Sequence, residues 1–291
     1  MSTAGPKPVI TRAVKSLAIV VLGALALASA ACGAARDPDL ELRVIKARAA
    51  AAASANAPPP SAPPPATAAS TRASGVDASK PAPVGTNMPL KSYTADEIAA
   101  ILAAVPGNGT SLVADIVLAP APAPAPQGTV SCTLDAERAP QAVANFVGLA
   151  MGQLGWSGRD GVEMKQPLYD GLGFHRIQSN YIIQAGNPTG KVNAGPGWRL
   201  AREPGLPEAF DAAGALAMLE DGDAIHGSQF FITVRPSKGL VRQYMAFGRC
   251  TSAELVRDIS NAETLPETSG KTASVPKNPT LIASIRIRRA D

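Results

Sequence analysis

Apolar positions in the C-terminal two-thirds of the chain recur at two spacings, and the switches between them mark out short strands and a few helices. Leu112–Leu118 is apolar apart from Asp115 and predicts a strand, and Thr129–Leu134 predicts a second. Ala119–Pro126 between them alternates Ala and Pro, and proline donates nothing to a central ladder, so this stretch is a loop. Pro140 then opens a helix with Val143, Phe146, Val147 and Ala150 on one face. Further short strands are predicted at Phe174–Ile177, Ile182–Gly186, Ala215–Leu219, Gln229–Val234 and Met245–Arg249, with the glycine-rich Asn187–Trp198 as a loop. Thr251-Ser252-Ala253-Glu254 has the form of a capping box, ahead of a helix carrying Leu255, Val256 and Ile259. Ile285-Arg286-Ile287-Arg288 alternates as a half-buried last strand. About eight short strands and two helices predict a mainly β domain over 111–291, a closed eight-stranded antiparallel barrel with two capping helices. Just upstream, Thr94-Ala95-Asp96-Glu97 is another capping box, and Ile98, Ile101, Leu102 and Val105 follow at helical spacing. A short amphipathic helix is predicted within 93–110; alone it is marginal in water, so it is expected to dock on the main domain.

Composition sharpens the boundary. The chain is 46% hydrophobic, but alanine supplies much of that figure. Of the twelve aromatic residues none precedes Tyr93, and a core needs large side chains, so the folded part lies in the C-terminal two-thirds. Residues 47–87 are mostly Ala, Pro, Ser and Thr, with two Pro triplets. Such a composition buries too little apolar surface to offset its ordering entropy, so 32–92 reads as a disordered Pro/Ala-rich linker. The net charge of +4 is spread along the chain rather than gathered into a patch, which argues against nucleic-acid binding. There are two histidines and no C-x-x-C, which argues against a structural zinc site, and no metal is expected.

The first thirty-one residues have the form of an export signal. Lys7, Arg12 and Lys15 make a positive start, and Leu17–Ala31 is an uninterrupted small or apolar run, shorter than a membrane span needs. The run ends in Ala28-Ser29-Ala30-Ala31-Cys32. Small residues before a cysteine resemble a bacterial lipobox, with Ser29 where leucine is usual; ordinary cleavage after Ala31 is the alternative. The resemblance implies acylation at Cys32, with the linker holding the folded domain off a membrane in the cell envelope. Cys132 and Cys250 then remain as an even pair in an oxidising compartment, either bridged or as two buried thiols.

Three blocks carry the most specific signal: Gly173-Phe174-His175-Arg176-Ile177, then Gln184 eight residues after the arginine, then Gly227-Ser228-Gln229-Phe230-Phe231-Ile232. In this order and spacing they resemble the active-site face of the cyclophilins, β-barrel peptidyl-prolyl cis-trans isomerases. Asn145-Phe146-Val147-Gly148-Leu149 resembles that family's first helix. The resemblance covers about residues 111–291 and implies a cyclophilin-like barrel, no cofactor, proline-containing polypeptides as partners, and a monomer.

The chemistry implied needs no bond to form or break. Rotation about a peptide bond meets a barrier of about 18–20 kcal/mol, and X-Pro isomerisation takes tens to hundreds of seconds. In the twisted amide the prolyl nitrogen carries a localised lone pair. A cation aimed at that lone pair favours the transition state over both planar forms. By resemblance Arg176 supplies it, Gln184 donates to the carbonyl before proline, and Phe231, Ile182 and Leu240 make the apolar seat for the ring. Phe174, Tyr181, Met218, Leu219, Glu220 and Tyr244 complete the expected substrate-binding set. Phe230 is expected to face the core, since neighbours on a strand point to opposite faces. His175 is expected to be structural, and His226 to lie in a loop without a catalytic part.

The departures concern the groove. Met218-Leu219-Glu220 stands where Met-Ala-Asn is usual, so Leu219 adds bulk and Glu220 charge. Gly239 replaces a tryptophan that in many members contacts cyclosporin, and Ala185 replaces a glycine. The expected activity is prolyl isomerisation on exported proteins; the alternative is a proline-segment binding or chaperone module with little turnover.

Overall fold

A computed structural model describes residues 88–121, 125–158, 161–189, 195–266 and 274–291. The export signal expected at 1–31, Cys32 and nearly all of the linker expected at 32–92 lie outside the described residues. The strands are β1 (Leu90–Lys91), β2 (Ser111–Leu118), β3 (Thr129–Leu134), β4 (Trp156–Ser157), β5 (Glu163–Met164), β6 (Arg176–Gln178), β7 (Ile182–Ala185), β8 (Arg199–Leu200), β9 (Ala215–Asp221), β10 (Ala224–Thr233), β11 (Met245–Cys250) and β12 (Ile282–Ala290). The helices are α1 (Ala95–Ala103), α2 (Pro140–Ala150) and α3 (Ala253–Ser260), with short 3-10 turns at Pro207–Asp211 and Lys238–Leu240.

Ten strands form one sheet running β12-β2-β3-β11-β9-β10, and β4 and β5 make a separate hairpin. The long β10 pairs with β9 on one side; on the other it takes β8 at Ile225–His226 and β7 at Phe230–Thr233. β6 lies beyond β7. The pairs are antiparallel except β1 against β8. The expectation of a closed eight-stranded barrel is corrected here: among the described residues the sheet has ten strands and no ladder closes it. Where β6 and β12 approach, a single bridge joins Gly173 to Leu281, helped by bonds from Phe174 N to Thr280 O and from Ile282 N to Leu172 O. β6 has only three residues, and Pro276 and Pro279, in the stretch leading to β12, lack the N–H donors a ladder would use.

One face of the sheet and α2 enclose the main core. Every residue of α2 from Ala142 to Ala150 is buried. Its Phe146 meets Tyr169, Phe230 and Phe247 at ring-centroid distances of 5.0, 5.5 and 5.2 Å. The helix begins with Pro140 and has no capping side chain of its own. Glu203 does that work from a distance, its two carboxylate oxygens accepting from Gln141 N and Ala142 N at 2.8 and 2.9 Å. A second apolar cluster lies on the other face of β7, β9, β10 and β11, under the two 3-10 turns. It holds Ile182, Phe210, Ala217, Leu219, Phe231, Leu240, Tyr244 and Ala246.

The Thr94 capping box forms, with Thr94 Oγ1 accepting from Glu97 N at 3.2 Å and Thr94 N donating to Glu97 Oε2 at 2.7 Å. The helix it opens docks as expected, burying Ile101 in the main core, and Tyr93 Oη donates to Asn145 Oδ1 at 3.0 Å. β1 shows that ordered structure reaches back into the stretch expected as linker. The second capping box does not form: α3 starts one residue later than the box requires, so Ser252 rather than Thr251 is at its N-cap. The Thr251 hydroxyl donates to Ser131 O on β3, while that of Ser252 accepts from Ser131 N and donates to Thr129 O. Cys132 and Cys250 are register partners on β3 and β11, with Cα atoms 3.8 Å apart, and a disulfide joins them.

Candidate active site

Two strand pairings bring the expected catalytic side chains into one row. Arg176 on β6 is the register partner of Gln184 on β7, and Gln184 of Phe231 on β10. Phe231 is in turn opposite Ala217 on β9, and Ala217 opposite Ala246 on β11. Register partners share a face of a sheet, so one row runs from a guanidinium through an amide to an aromatic ring and two small residues. The β6–β7 turn sets this register: Tyr181 N donates to Gln178 O at 2.9 Å. Asn180 takes a left-handed φ of 54°, which Asn tolerates better than most residues. At the other end of β7, Gly186 has φ 90°, and a Cβ there would lie 2.2 Å from Ser228 O on β10.

Polar contacts tie the row together. Arg176 Nη1 donates to Gln184 Oε1 at 3.4 Å, and Gln184 Nε2 donates to Gln229 Oε1 at 3.0 Å. The same Gln184 Nε2 lies 3.3 Å from His175 Nε2, which accepts in the tautomer protonated at Nδ1. Burial, and then the charge of Arg176, push His175 down from its ordinary 6.5 to about 4, so it is neutral at pH 7. Burial also lowers Arg176, but an arginine so placed stays charged and is half-buried rather than sealed.

His175 and Gln229 are contacts that strand alternation missed. His175 precedes β6, so alternation does not govern where its ring goes. Gln229 belongs to a bulge: pairing of β10 with β9 jumps between Ile225 and Phe230. His226 shapes that bulge, being fully buried on β10 with Nδ1 accepting from Ser228 N and Gln229 N at 3.1 and 2.9 Å. The expectation of a loop histidine is therefore replaced by a buried one that turns Gln229 toward Gln184.

Of the expected substrate-binding residues, Ile182, Leu219, Leu240 and Tyr244 gather with Phe231 in the second cluster, and Tyr181 packs against it with Arg235 5.4 Å from its ring centroid. Tyr244 meets Phe231 edge-on at 5.1 Å. Glu220 is half-buried at the rim, with Arg202 Nη2 3.4 Å from its carboxylate. Phe174 and Met218 are not brought to this face. Both are fully buried in the main core with Phe230, Met218 because it alternates with Ala217 and Leu219 along β9.

A model of the cyclophilin type peptidyl-prolyl cis-trans isomerase family matches residues 123–287. Over 162 residues the chain is 38% identical to peptidyl-prolyl cis-trans isomerase A of Mycobacterium tuberculosis, covering 55% of this chain and 87% of that protein. Over 147 residues it is 37% identical to peptidyl-prolyl cis-trans isomerase B of Streptomyces anulatus, covering 50% of this chain and 83% of that one. The chain belongs to the cyclophilin-type peptidyl-prolyl cis-trans isomerases. Among solved structures, a cyclophilin-type isomerase from Cryptosporidium parvum aligns with a TM-score of 0.49 at 24% identity, covering 62% of this chain and 99% of that one. Membership of this family, shown by the family model and the relatives, carries the cyclophilin fold, mainly β with few helices, and the activity, prolyl isomerisation. Among the described residues of this cyclophilin, no group of His, Cys, Asp or Glu could hold a metal ion.

Proposed function

We propose that this cyclophilin isomerises X-Pro bonds in exported polypeptides, with Arg176 stabilising the twisted amide. The observation that carries the mechanism is the row Arg176–Gln184–Phe231, which sets a charged donor, an amide donor and an apolar ring on one face of adjacent strands. A proline ring seated against Phe231 puts its nitrogen toward the guanidinium end of the row. The charge acts on the lone pair that appears only when the amide twists, so it raises the rate more than the affinity. Gln184, held by Gln229 and by His175, orients Arg176, and it meets the carbonyl before proline by exchanging one of those two Nε2 bonds for the substrate. The test is exchange NMR of a short X-Pro peptide. Arg176→Ala should slow turnover about 10- to 1000-fold, or about 1.4–4 kcal/mol of transition-state stabilisation, with a much smaller change in peptide affinity. Equal catalysis by the wild type and Arg176→Ala overturns the mechanism.

The export signal and the Cys32 lipobox support action in the cell envelope, where the linker would let a tethered domain sample emerging chains at raised local concentration. Among the described residues no helix is long and apolar enough to cross a membrane. The anchor in this reading is lipid on Cys32, on the strength of the lipobox-like run before it. A second reading, a proline-binding module with little turnover, is favoured by one observation: the expected ring seat is closed. A peptide bound without line broadening or exchange peaks would establish that reading instead.

A further inference from the structure

The residues expected to receive a proline ring have almost no surface for it. Ile182, Leu219 and Phe231 are 0% exposed, Leu240 2% and Tyr244 4%. Small residues floor the centre of the row, Ala217 opposite both Phe231 and Ala246. Leu219 lies two residues beyond Ala217 on the same face of β9, where the family usually has alanine. Its side chain carries three carbons beyond Cβ, as many as the methylenes of a pyrrolidine ring.

Leu219 is also placed to move. Pairing of β10 with β9 covers Asp221, Glu220, Met218, Ala217 and Leu216, and skips Leu219 opposite the His226–Gln229 bulge. Pairing of β11 with β9 stops at Met218. Leu219 therefore has no register partner on either side, whereas Ile182 and Phe231 sit in ladders. Tyr244 and Leu240 are held by the backbone bond from Tyr244 N to Leu240 O at 2.9 Å. Of the residues sealing the seat, Leu219 is the one that neither sits in a ladder nor is tied by that turn bond.

We propose that Leu219 fills the proline seat in the free protein and that a substrate binds by displacing it, so that Leu219 sets which proline segments are accepted; this rests on the reading of the groove proposed above. A ring that enters restores the contacts Leu219 gives up, whereas a flexible apolar side chain restores fewer. The displaced leucine must meet water, which lowers apparent affinity about 10- to 100-fold.

The test measures binding of a short Ala-Ala-Pro peptide to the full chain by calorimetry, with methyl NMR of Leu219. Leu219→Ala should tighten binding about 10- to 100-fold, and Leu219→Met, which keeps most of the bulk but bends more freely, should tighten it by less. In the wild type the Leu219 methyl signals, held beside Phe231 and Tyr244, should shift strongly as peptide saturates the site. Leu219→Met and the wild-type methyl signals keep the test decisive if Leu219→Ala does not fold. Unchanged affinity in the variants, or methyl signals that stay put on saturation, overturns the proposal. The arginine reading fails separately: tighter binding by Leu219→Ala together with full turnover by Arg176→Ala removes that mechanism and leaves the displaced leucine standing. An inactive Arg176→Ala with Leu219 variants that bind like the wild type does the reverse.

Discussion

Replacing Cys132 and Cys250 together by alanine removes the one covalent tie between β3 and β11. The bridge closes a loop with a sequence separation of 118, and opening it restores to the unfolded chain an entropy worth about 4.9 kcal/mol at 25 °C. The folded state loses little besides, since β3 keeps its pairing with β2 over Leu112–Val117 and β11 its pairing with β9. Two buried sulfurs are also lost, which adds a small packing cost. Against a total stability of about 5–15 kcal/mol this is a large share, and for a domain of this size it should lower Tm by about 10–20 °C. Urea unfolding of the full chain, with and without reductant, reads the effect. Reductant should bring the wild-type midpoint down to that of the double variant and leave the variant where it is. Thiol titration in denaturant should show two more thiols after reduction. An unmoved wild-type midpoint with no rise in thiols would falsify the bridge.

Three further outcomes follow from the structure. His175 is neutral because burial and Arg176 hold it near pKa 4 against an ordinary 6.5, so the unfolded chain takes up a proton below pH 6.5 that the folded chain refuses. Stability is therefore full above pH 6.5 and falls as pH drops toward 4, by up to about 3 kcal/mol, with isomerase activity failing as the imidazolium stops accepting from Gln184; His175→Gln should flatten both acid limbs, and wild-type limbs that His175→Gln leaves unaltered would refute this. Glu203→Ala strips the remote cap from α2 and should cost about 1–2 kcal/mol in urea unfolding, with Glu203→Gln recovering part of it; an unchanged midpoint in Glu203→Ala would show that water serves those amides as well. Cys32→Ser should move the protein from the membrane to the soluble fraction with isomerase activity intact, and a mature N-terminus found by mass spectrometry at any residue other than Cys32 would refute acylation there.

The local periods were legible in the chain. β2, β3, α2 and β12 lie where their apolar spacing puts them, Thr94 caps α1 through Glu97, and the eight-residue step from Arg176 to Gln184 is a hairpin that sets them side by side. These features depend on neighbours a few residues apart, and the chain carries that information directly. What lay beyond its reach depended on pairings between distant segments. Thr251 looked like a cap, but the helix starts one residue later and the threonine hydroxyl donates to Ser131 O on β3; α2 looked uncapped, but Glu203 reached it from sixty-odd residues away. The His226 bulge that aims Gln229, the unclosed seam between β6 and β12, and the parallel docking of β1 on β8 all follow from register. The sequence, through its resemblance to the cyclophilins, named Arg176, Gln184 and Phe231 and marked Leu219 as extra bulk. Only the tertiary structure decided that Met218 and Phe174 turn inward, and that Leu219 lies sealed against Phe231 with no strand partner, because which face of a strand is covered depends on what packs over it rather than on the strand's own pattern.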